Sequence, residues 1–448
     1  MANRIKIKKG LQIPLMGVAE ETLRGSIQSE YVKLCPEDFP GITPKVAARV
    51  DDRVKSGSVL FYDKEHPEIT FASPVSGVVT AIERGEKRRI LNFTVKTDSQ
   101  NQYEDFGRKN VSDLSAEEIK NSILKAGIWW TIRQRPYDIV ANPTKSPRDI
   151  FVTAFDSAPL APDYNFILKN RQADLQAGLL ALSKLTSGKL YFSVGKNSPK
   201  IDFPQTNNIV ITEFEGPHPA GNVGVQINHL APVNKNEVVW TLRLTEVAII
   251  GKLFNEGIVD LTRTVALTGS EVKQTGYFNM LIGTDLSQLF TNNVTEGINL
   301  RYISGNPLTG RRVETNDVLR AYDSQVTVIP EGDDVHELFG WGSLSPDRYS
   351  ASPLYMRLKK AYRIDARLKG GRRAFIVSNE YDEVFPMDIY PEALVKSIMA
   401  FNIDKMEQLG IYEVAPEDFA LCEFVDTSKL ETQKVVRTGL DLLRKEME

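Results

Sequence analysis

Apolar and polar side chains alternate along Ile5-Lys6-Ile7-Lys8, the two-residue period of a half-buried strand. Gly10 then turns the chain before Leu11-Gln12-Ile13-Pro14. A denser signal runs from Val50 to Phe61, where two short strands flank a turn at Gly57. Phe71 to Val79 repeats it, with Pro74 and Gly77 as punctuation. Ser115-Ala116-Glu117-Glu118 is a capping box, opening a helix that runs towards Lys125 and stops at Gly127. Downstream, Ile150 to Phe155 reads as a buried strand, Ala173 to Leu185 as a helix, and Lys189–Val194 and Asn208–Phe214 as strands. Strands alternating with helices at this spacing predict a layered α/β unit with a largely parallel sheet. Val238 to Phe254, interrupted by Arg243, Glu246 and Lys252, reads as one amphipathic helix. The pattern then changes to a small α+β unit. Arg263–Gly269 and Thr275–Met280 read as paired strands, Ile282–Phe290 as a short helix capped at Thr284 or Asp285, and Arg301–Gly310 closes it. The last region is helical, over Glu392 to Leu409 and Leu430 to Lys445.

Length turns this succession into domains. A chain of 448 residues exceeds one ordinary core, so roughly two to four domains are expected. The boundaries fall at 1–105 (β-rich), 106–256 (α/β), 257–330 (α+β) and 331–448 (a helical region). The apolar share of 42% with 25% charged residues is that of a folded, soluble protein, and a net charge of -3 gives no field to draw nucleic acid. The basic N-terminus lacks the apolar stretch of a secretory signal, which predicts a cytoplasmic protein. A membrane span needs about 20 mostly apolar residues. The best candidate, Val238 to Phe254, fails through its charges, so membrane contact is expected through partners. Charge also divides the end of the chain. Residues 357–373 carry eight basic side chains against Asp365, whereas Ala374 to Glu448 carries sixteen acids and seven bases. Such a basic stripe pairs with its own acidic tail, stays solvated, or docks on a partner subunit or lipid headgroups.

The chemistry these residues permit is limited. Cys35 and Cys422 are the only cysteines and no Cys-x-x-Cys pair exists, which argues against a zinc ribbon, an iron–sulfur cluster or a disulfide framework. His66, His218, His229 and His336 have no metal-pair spacing. No Gly-x-Ser-x-Gly elbow, Gly-x4-Gly-Lys-Ser/Thr loop or clean Gly-x-Gly-x-x-Gly after a strand is present, so dinucleotide binding by the common route has little support. One loop stands out. The strand ending at Phe214 runs into Gly216-Pro217-His218-Pro219-Ala220-Gly221-Asn222-Val223-Gly224. If Asn222 opens a helix, its free N–H groups could meet an anion or a carbonyl oxygen; the alternative is a tight turn with a surface imidazole. His229 reads as a core histidine. Trp129-Trp130, beside Arg133, Arg135 and Tyr137, reads either as one buried and one rim ring or as a binding surface for a flat aromatic ring.

Several runs carry a family resemblance. Val54-Lys55-Ser56-Gly57 with Pro74-Val75-Ser76-Gly77-Val78-Val79 is similar to a biotinyl/lipoyl-carrier β-barrel. Its hairpin lysine, Lys64, lacks the flanking methionines of a modification site, so a structural barrel with a solvated lysine is expected. Residues 257–330 resemble the ubiquitin-like β-grasp modules of respiratory complexes. With Ile5 to Leu11, Ala126-Gly127-Ile128-Trp129, Arg133-Gln134-Arg135-Pro136-Tyr137, Gly216-Pro217-His218-Pro219-Ala220-Gly221, Gly305-Asn306-Pro307-Leu308-Thr309-Gly310 and Phe385-Pro386-Met387-Asp388-Ile389, the resemblance runs nearly end to end. The chain is identified as a member of the family of A subunits of the sodium-translocating NADH:quinone reductase.

This resemblance implies a Rossmann-like α/β domain related to the flavin subunit of complex I. Tryptophans stand at Ala126 to Pro136 where those relatives have flavin-loop glycines, and their cluster cysteines are missing. It therefore implies no cofactor on this chain, with NADH, flavins and the Fe-S centre handled by partner subunits at the cytoplasmic face of the bacterial inner membrane. Asp426 stands where many members carry a second cysteine, which weakens any thiol role. The segments resembling those implicated in quinone binding are Tyr31–Phe39 and Trp129–Pro136. Together with the loop histidine they nominate His218, Trp129, Trp130, Arg133 and Phe39 as quinone-binding residues. No catalytic or metal-ligating residue is expected. Two readings stay open at this stage: a subunit that forms or covers the quinone site, and a structural scaffold with quinone held by membrane partners.

Overall fold

The computed structural model describes residues 3–196, 198–333, 349–351 and 359–447. His336 and Arg357 lie outside the described residues. Near the N-terminus a four-stranded antiparallel sheet (Tyr31–Leu34, Ile90–Thr97, Gly77–Arg84, Arg53–Val54) and a three-stranded one (Pro44–Val46, Val59–Asp63, Thr70–Ala72) share one core. Alternation places Phe61, Phe71 and Phe93 inward, where the Phe61 ring stacks at 4.4 Å on Phe71 and 5.1 Å on Phe93. Asp63 pins the hairpin by accepting from the backbone N–H groups of Thr43 and His66, and Lys64 beside it is exposed.

The middle of the chain builds a seven-stranded sheet. Five parallel strands (Asn3–Lys6, Ile209–Glu215, Leu190–Val194, Ile150–Thr153, Val239–Arg243) continue into the antiparallel pair Arg133–Arg135 and Ile139–Val140. The central strands are mostly apolar because both faces are covered. Ile150, Val152, Leu190 and Phe192 face helices Gln172–Lys184 and Leu244–Glu256. Phe151 and Val239 face the helix Val223–Leu230 and the C-terminal helices.

Two expectations change here. The N-terminal strand leaves the barrel and pairs in parallel with Ile209–Glu215, Ile5 opposite Phe214. Val238–Phe254 is a strand followed by a helix rather than one helix, because its first part, Val239-Trp240-Thr241-Leu242, is β-branched and aromatic. A short apolar run does not distinguish a buried strand from a helix by periodicity.

Helices Gln172–Lys184 and Leu244–Glu256 touch backbone to backbone at Gly251, where an added Cβ would lie 1.7 Å from the carbonyl oxygen of Asp174. Alanine is intrinsically the better helix former by about 1 kcal/mol. The contact is with backbone that cannot swing aside, so it decides the sign. Gly251→Ala is expected to destabilise the chain by about 2 kcal/mol net, read as a lower midpoint in urea.

The third sheet has six strands, in the order Arg311–Val313, Leu300–Ser304, Gln325–Pro330, Thr262–Thr268, Gly276–Leu281 and Leu23–Ser26. The expected pair Thr262–Thr268 and Gly276–Leu281 is antiparallel, and Leu23–Ser26 from the N-terminus adds a parallel edge. The short helix is Ser287–Phe290, with Asp285 accepting from the Ser287 N–H. In the C-terminal region the single helix expected over Glu392–Leu409 is two, Pro391–Met399 and Ile403–Gln408, broken at Phe401, whose φ is 53°. Thr432–Met447 matches expectation, whereas Glu380–Val384 and Ala420–Val425 are additional short helices. Within the described part of the basic stripe, Arg372 pairs with Glu431, Arg363 with Glu271 and Arg367 with Asp365. Among the described residues no helix is long and apolar enough to cross a membrane.

Candidate functional site

A cleft opens outside the carboxyl ends of Ile150–Thr153 and Val239–Arg243, the end of a parallel sheet at which ligands usually bind. The strand Ile209–Glu215 delivers the loop Gly216–Asn222 to its wall. Buried polar ties fix the loop: the Gln226 amide donates to Thr153 Oγ1 and to the carbonyls of Ala220 and Gly221, and the Leu11 N–H donates to the His218 carbonyl.

His218 is only 3% exposed. Its Nδ1 lies 3.0 Å from Ser157 Oγ, which also accepts the Gly221 N–H at 2.8 Å. Its Nε2 has no hydrogen-bond partner among the described residues, and the ring borders the cleft. Burial pushes the imidazole pKa down to about 4, with Asp156 pulling the other way. The side chain is therefore a buried neutral imidazole, rather than the surface one that a bare turn would carry. It does not exchange a proton near neutrality as a free histidine does.

Opposite charges surround it. Arg133 and the wholly buried Arg135 both hold Asp138. Burial opposes the charge on Asp138, but Arg133, Arg135 and Arg437 outweigh it and keep the carboxyl below its ordinary pKa. Arg135 Nη2 and Arg243 Nη2 each lie 3.7 Å from the Glu417 carboxylate, and Arg135 Nε and Nη2 make no hydrogen bond among the described residues. The helix Val223–Leu230 does open after Asn222, but its first turn is not vacant. The Asp418 carboxyl rests against Gly224, where a Cβ would meet Oδ2 at 2.2 Å. Burial and Glu417 push that carboxyl up to about 7, against the pull of Arg135.

The nominated residues separate into two groups. His218 and Arg133 line the cleft. Trp129, Trp130 and Phe39 are 0%, 1% and 2% exposed and belong to the core between barrel and sheet. Both tryptophans are buried, so neither sits at a rim. Trp129 Nε1 donates to the Ala141 carbonyl at 2.7 Å and its ring meets Trp240 edge-on at 5.3 Å. Trp130 packs on Phe39 and, edge-on, behind Tyr322. Tyr322 carries this core to the cleft wall, its hydroxyl donating to the Trp130 carbonyl and its ring 5.4 Å from the Arg133 guanidinium.

Phe155, Tyr164, Arg135, Arg243, Tyr322 and Glu417 also line the cleft. Sequence reading had no signal for most of them, because each comes from a different segment. His229 is not a core residue: it is exposed in the last turn of its helix, with Nδ1 2.9 Å from the Val225 carbonyl oxygen. Three of the runs that carry the family resemblance meet here, through Arg133 and Arg135, through His218 and Gly221, and through Asn306 and Thr309.

Three family models match the chain: the NqrA N-terminal barrel-sandwich hybrid domain over residues 5–98, the NqrA second alpha/beta domain over 114–259, and the NQRA C-terminal domain over 264–315. Curated relatives are similar end to end. The A subunit of the Na(+)-translocating NADH-quinone reductase of Pasteurella multocida is 36% identical over 447 residues, 99% of this chain and 100% of the relative. The protein of the same name from Neisseria meningitidis is 35% identical over 450 residues, and the one from Haemophilus influenzae 34% over 447, each with the same coverage. Among solved structures, a chain of an NAD+-reducing [NiFe]-hydrogenase in the air-oxidized state is similar over 52% of each chain at 12% identity and a TM-score of 0.35, a likeness too slight to carry an argument.

Proposed function

The chain belongs to the family of A subunits of the Na(+)-translocating NADH-quinone reductase, and from that premise we propose that it serves the assembled pump by presenting the His218 cleft to the quinone. Its partners are the other subunits of that complex, and its enzymatic role is a share in the complex's reaction. The observation that carries the quinone reading is a single atom. His218 Nε2 is buried and lacks a partner among the described residues, on a side chain of the cleft wall that also offers Arg133, Arg135 and Arg243 as donors. A quinone head needs a donor at each carbonyl, and a buried polar atom without a partner is costly unless a ligand supplies one.

The rest of the reading follows the sequence. Residues 1–105 form a biotinyl/lipoyl-like barrel without modification at Lys64. Residues 106–256 form a Rossmann-like domain related to the flavin subunit of complex I, 257–330 a ubiquitin-like module, and 331–448 a helical region. The N-terminal strands Asn3–Lys6 and Leu23–Ser26 are lent to the second and third of these units. The chain carries no flavin or Fe-S centre of its own, and NADH oxidation belongs to partner subunits. It lies peripherally on the cytoplasmic face of the membrane, with the basic stripe as a docking element.

His218→Ala in the assembled complex is expected to weaken a short-chain quinone by about two- to tenfold, the value of one hydrogen bond, while NADH oxidation by an artificial acceptor persists. Wild-type quinone kinetics in a normally assembled variant would favour the second reading, a structural scaffold with quinone held by membrane subunits. That reading is supported by the burial of Trp129, Trp130 and Phe39 as core residues.

A further inference from the structure

The hydroxyl of Ser157 has two lone pairs and one hydrogen to place. One lone pair accepts the Gly221 N–H at 2.8 Å, and the other close polar atom is His218 Nδ1 at 3.0 Å. Two arrangements are open. In the first, Ser157 donates its hydrogen to Nδ1, which is then the ring's acceptor, and the ring proton sits on Nε2. In the second, Nδ1–H donates to Oγ. The hydroxyl hydrogen then has no acceptor among the described residues, and Nε2 is left as a bare lone pair on a side chain that lines the cleft. The first leaves one group of the pair without a partner, the Nε2–H, whereas the second leaves two, the hydroxyl hydrogen and the Nε2 lone pair, so the first is favoured by about tenfold.

We infer that Ser157 is a positioning residue that fixes the tautomer of His218, holding the ring proton on Nε2 so that the cleft presents a neutral N–H donor to a carbonyl oxygen. This rests on the quinone reading of the cleft and gives it a chemical form. The site selects a carbonyl acceptor, not an ammonium or another N–H donor. The ring stays neutral through the physiological range because it is buried. Asp156 lies close enough to favour its protonation. Among the other charged groups of the cleft, Arg133, Arg135 and Arg243 disfavour a second positive charge, while Asp138 is bound to Arg133 and Arg135, Glu246 to Arg263, and Glu417 sits between Arg135 and Arg243. A neutral imidazole is a far weaker acid than an imidazolium. His218 therefore steadies the negative charge that grows on a quinone oxygen by a hydrogen bond and is not the proton source for the reduced product.

The test uses the full-length chain labelled with 15N at histidine, His218 being identified by the signals that vanish in His218→Gln. Its Nδ1 is expected to resonate as an unprotonated acceptor and its Nε2 as a protonated nitrogen, unchanged between about pH 8 and about pH 5. A protonated Nδ1 in the wild-type chain, or a titration near the free-histidine value, overturns the inference without any variant being made. Ser157→Ala is expected to give a mixture of tautomers and Ser157→Thr to restore the single form; an unchanged tautomer in Ser157→Ala overturns the role of Ser157.

In the assembled complex, Ser157→Ala should raise KM for a short-chain quinone about two- to tenfold with a smaller change in kcat, and Ser157→Thr should reverse it. If the tautomer shifts as described but the quinone KM does not move, the tautomer assignment stands and the quinone reading of the cleft falls.

Discussion

Replacing Trp129 by alanine is expected to lower the stability of the folded chain by about 3–5 kcal/mol. The ring is fully buried, its indole N–H is the partner of the Ala141 carbonyl, and it closes against Trp240. Alanine therefore leaves a cavity and strands a buried acceptor together. Trp129→Phe keeps most of the volume and loses the hydrogen bond, so it should cost roughly 1–2 kcal/mol. Denaturant titration of the isolated chain separates these cases, and any loss of quinone turnover in Trp129→Ala should track the fraction of chain that is folded. A Trp129→Ala protein as stable as wild type, with only its quinone affinity reduced, would show instead that the ring acts on ligand rather than in the core.

The second large effect lies where the α/β sheet meets the third sheet. Glu246, in the first turn of Leu244–Glu256, and Arg263, in the strand Thr262–Thr268, form an ion pair at 2.7 Å with both side chains 2% exposed. Thr245 Oγ1 donates to the other oxygen of the glutamate, and the second arm of the guanidinium reaches Ser324 Oγ at 3.4 Å. Glu246→Leu or Arg263→Met alone leaves a buried charge with no counterpart and should cost about 3–5 kcal/mol. The double variant removes both charges and fills the space with apolar atoms, so it should recover most of that loss. Salt should change these differences little, because the pair is out of reach of mobile ions. Additive losses in the double variant would mean that the two residues act separately.

Much of the local structure was legible along the chain. Ser115 and Glu118 do exchange both capping bonds. The continuous apolar run at Ile150 marks a strand covered on both faces, and Gly216–Asn222 is a strand-to-helix loop that carries a functional histidine candidate. These features depend on neighbours within a few residues, which the sequence displays directly. The same local signals did not reveal that Val239–Arg243 is a strand, since a five-residue apolar run fits either state until its partners Ile150–Thr153 and Arg133–Arg135 are present.

What only the tertiary structure decided is the pairing. The alternation at Ile5 fixes a strand, but nothing in it selects Phe214 as the residue opposite. The choice follows from which sheet edge is open and which apolar surface is left to cover. The cleft follows the same logic. His218, Arg133 and Arg135 were visible as residues of a suitable type, whereas Ser157, Arg243, Tyr322 and Glu417 reach the site from segments far apart in the chain. Trp129 and Trp130 looked like a ligand surface because aromatic rings beside arginines suit either a flat ligand or a core. Burial separates the two, and burial is a property of the packed molecule: the sequence determined which side chains could bury apolar area or donate a hydrogen bond, and the meeting of barrel and sheet determined that these rings do the first.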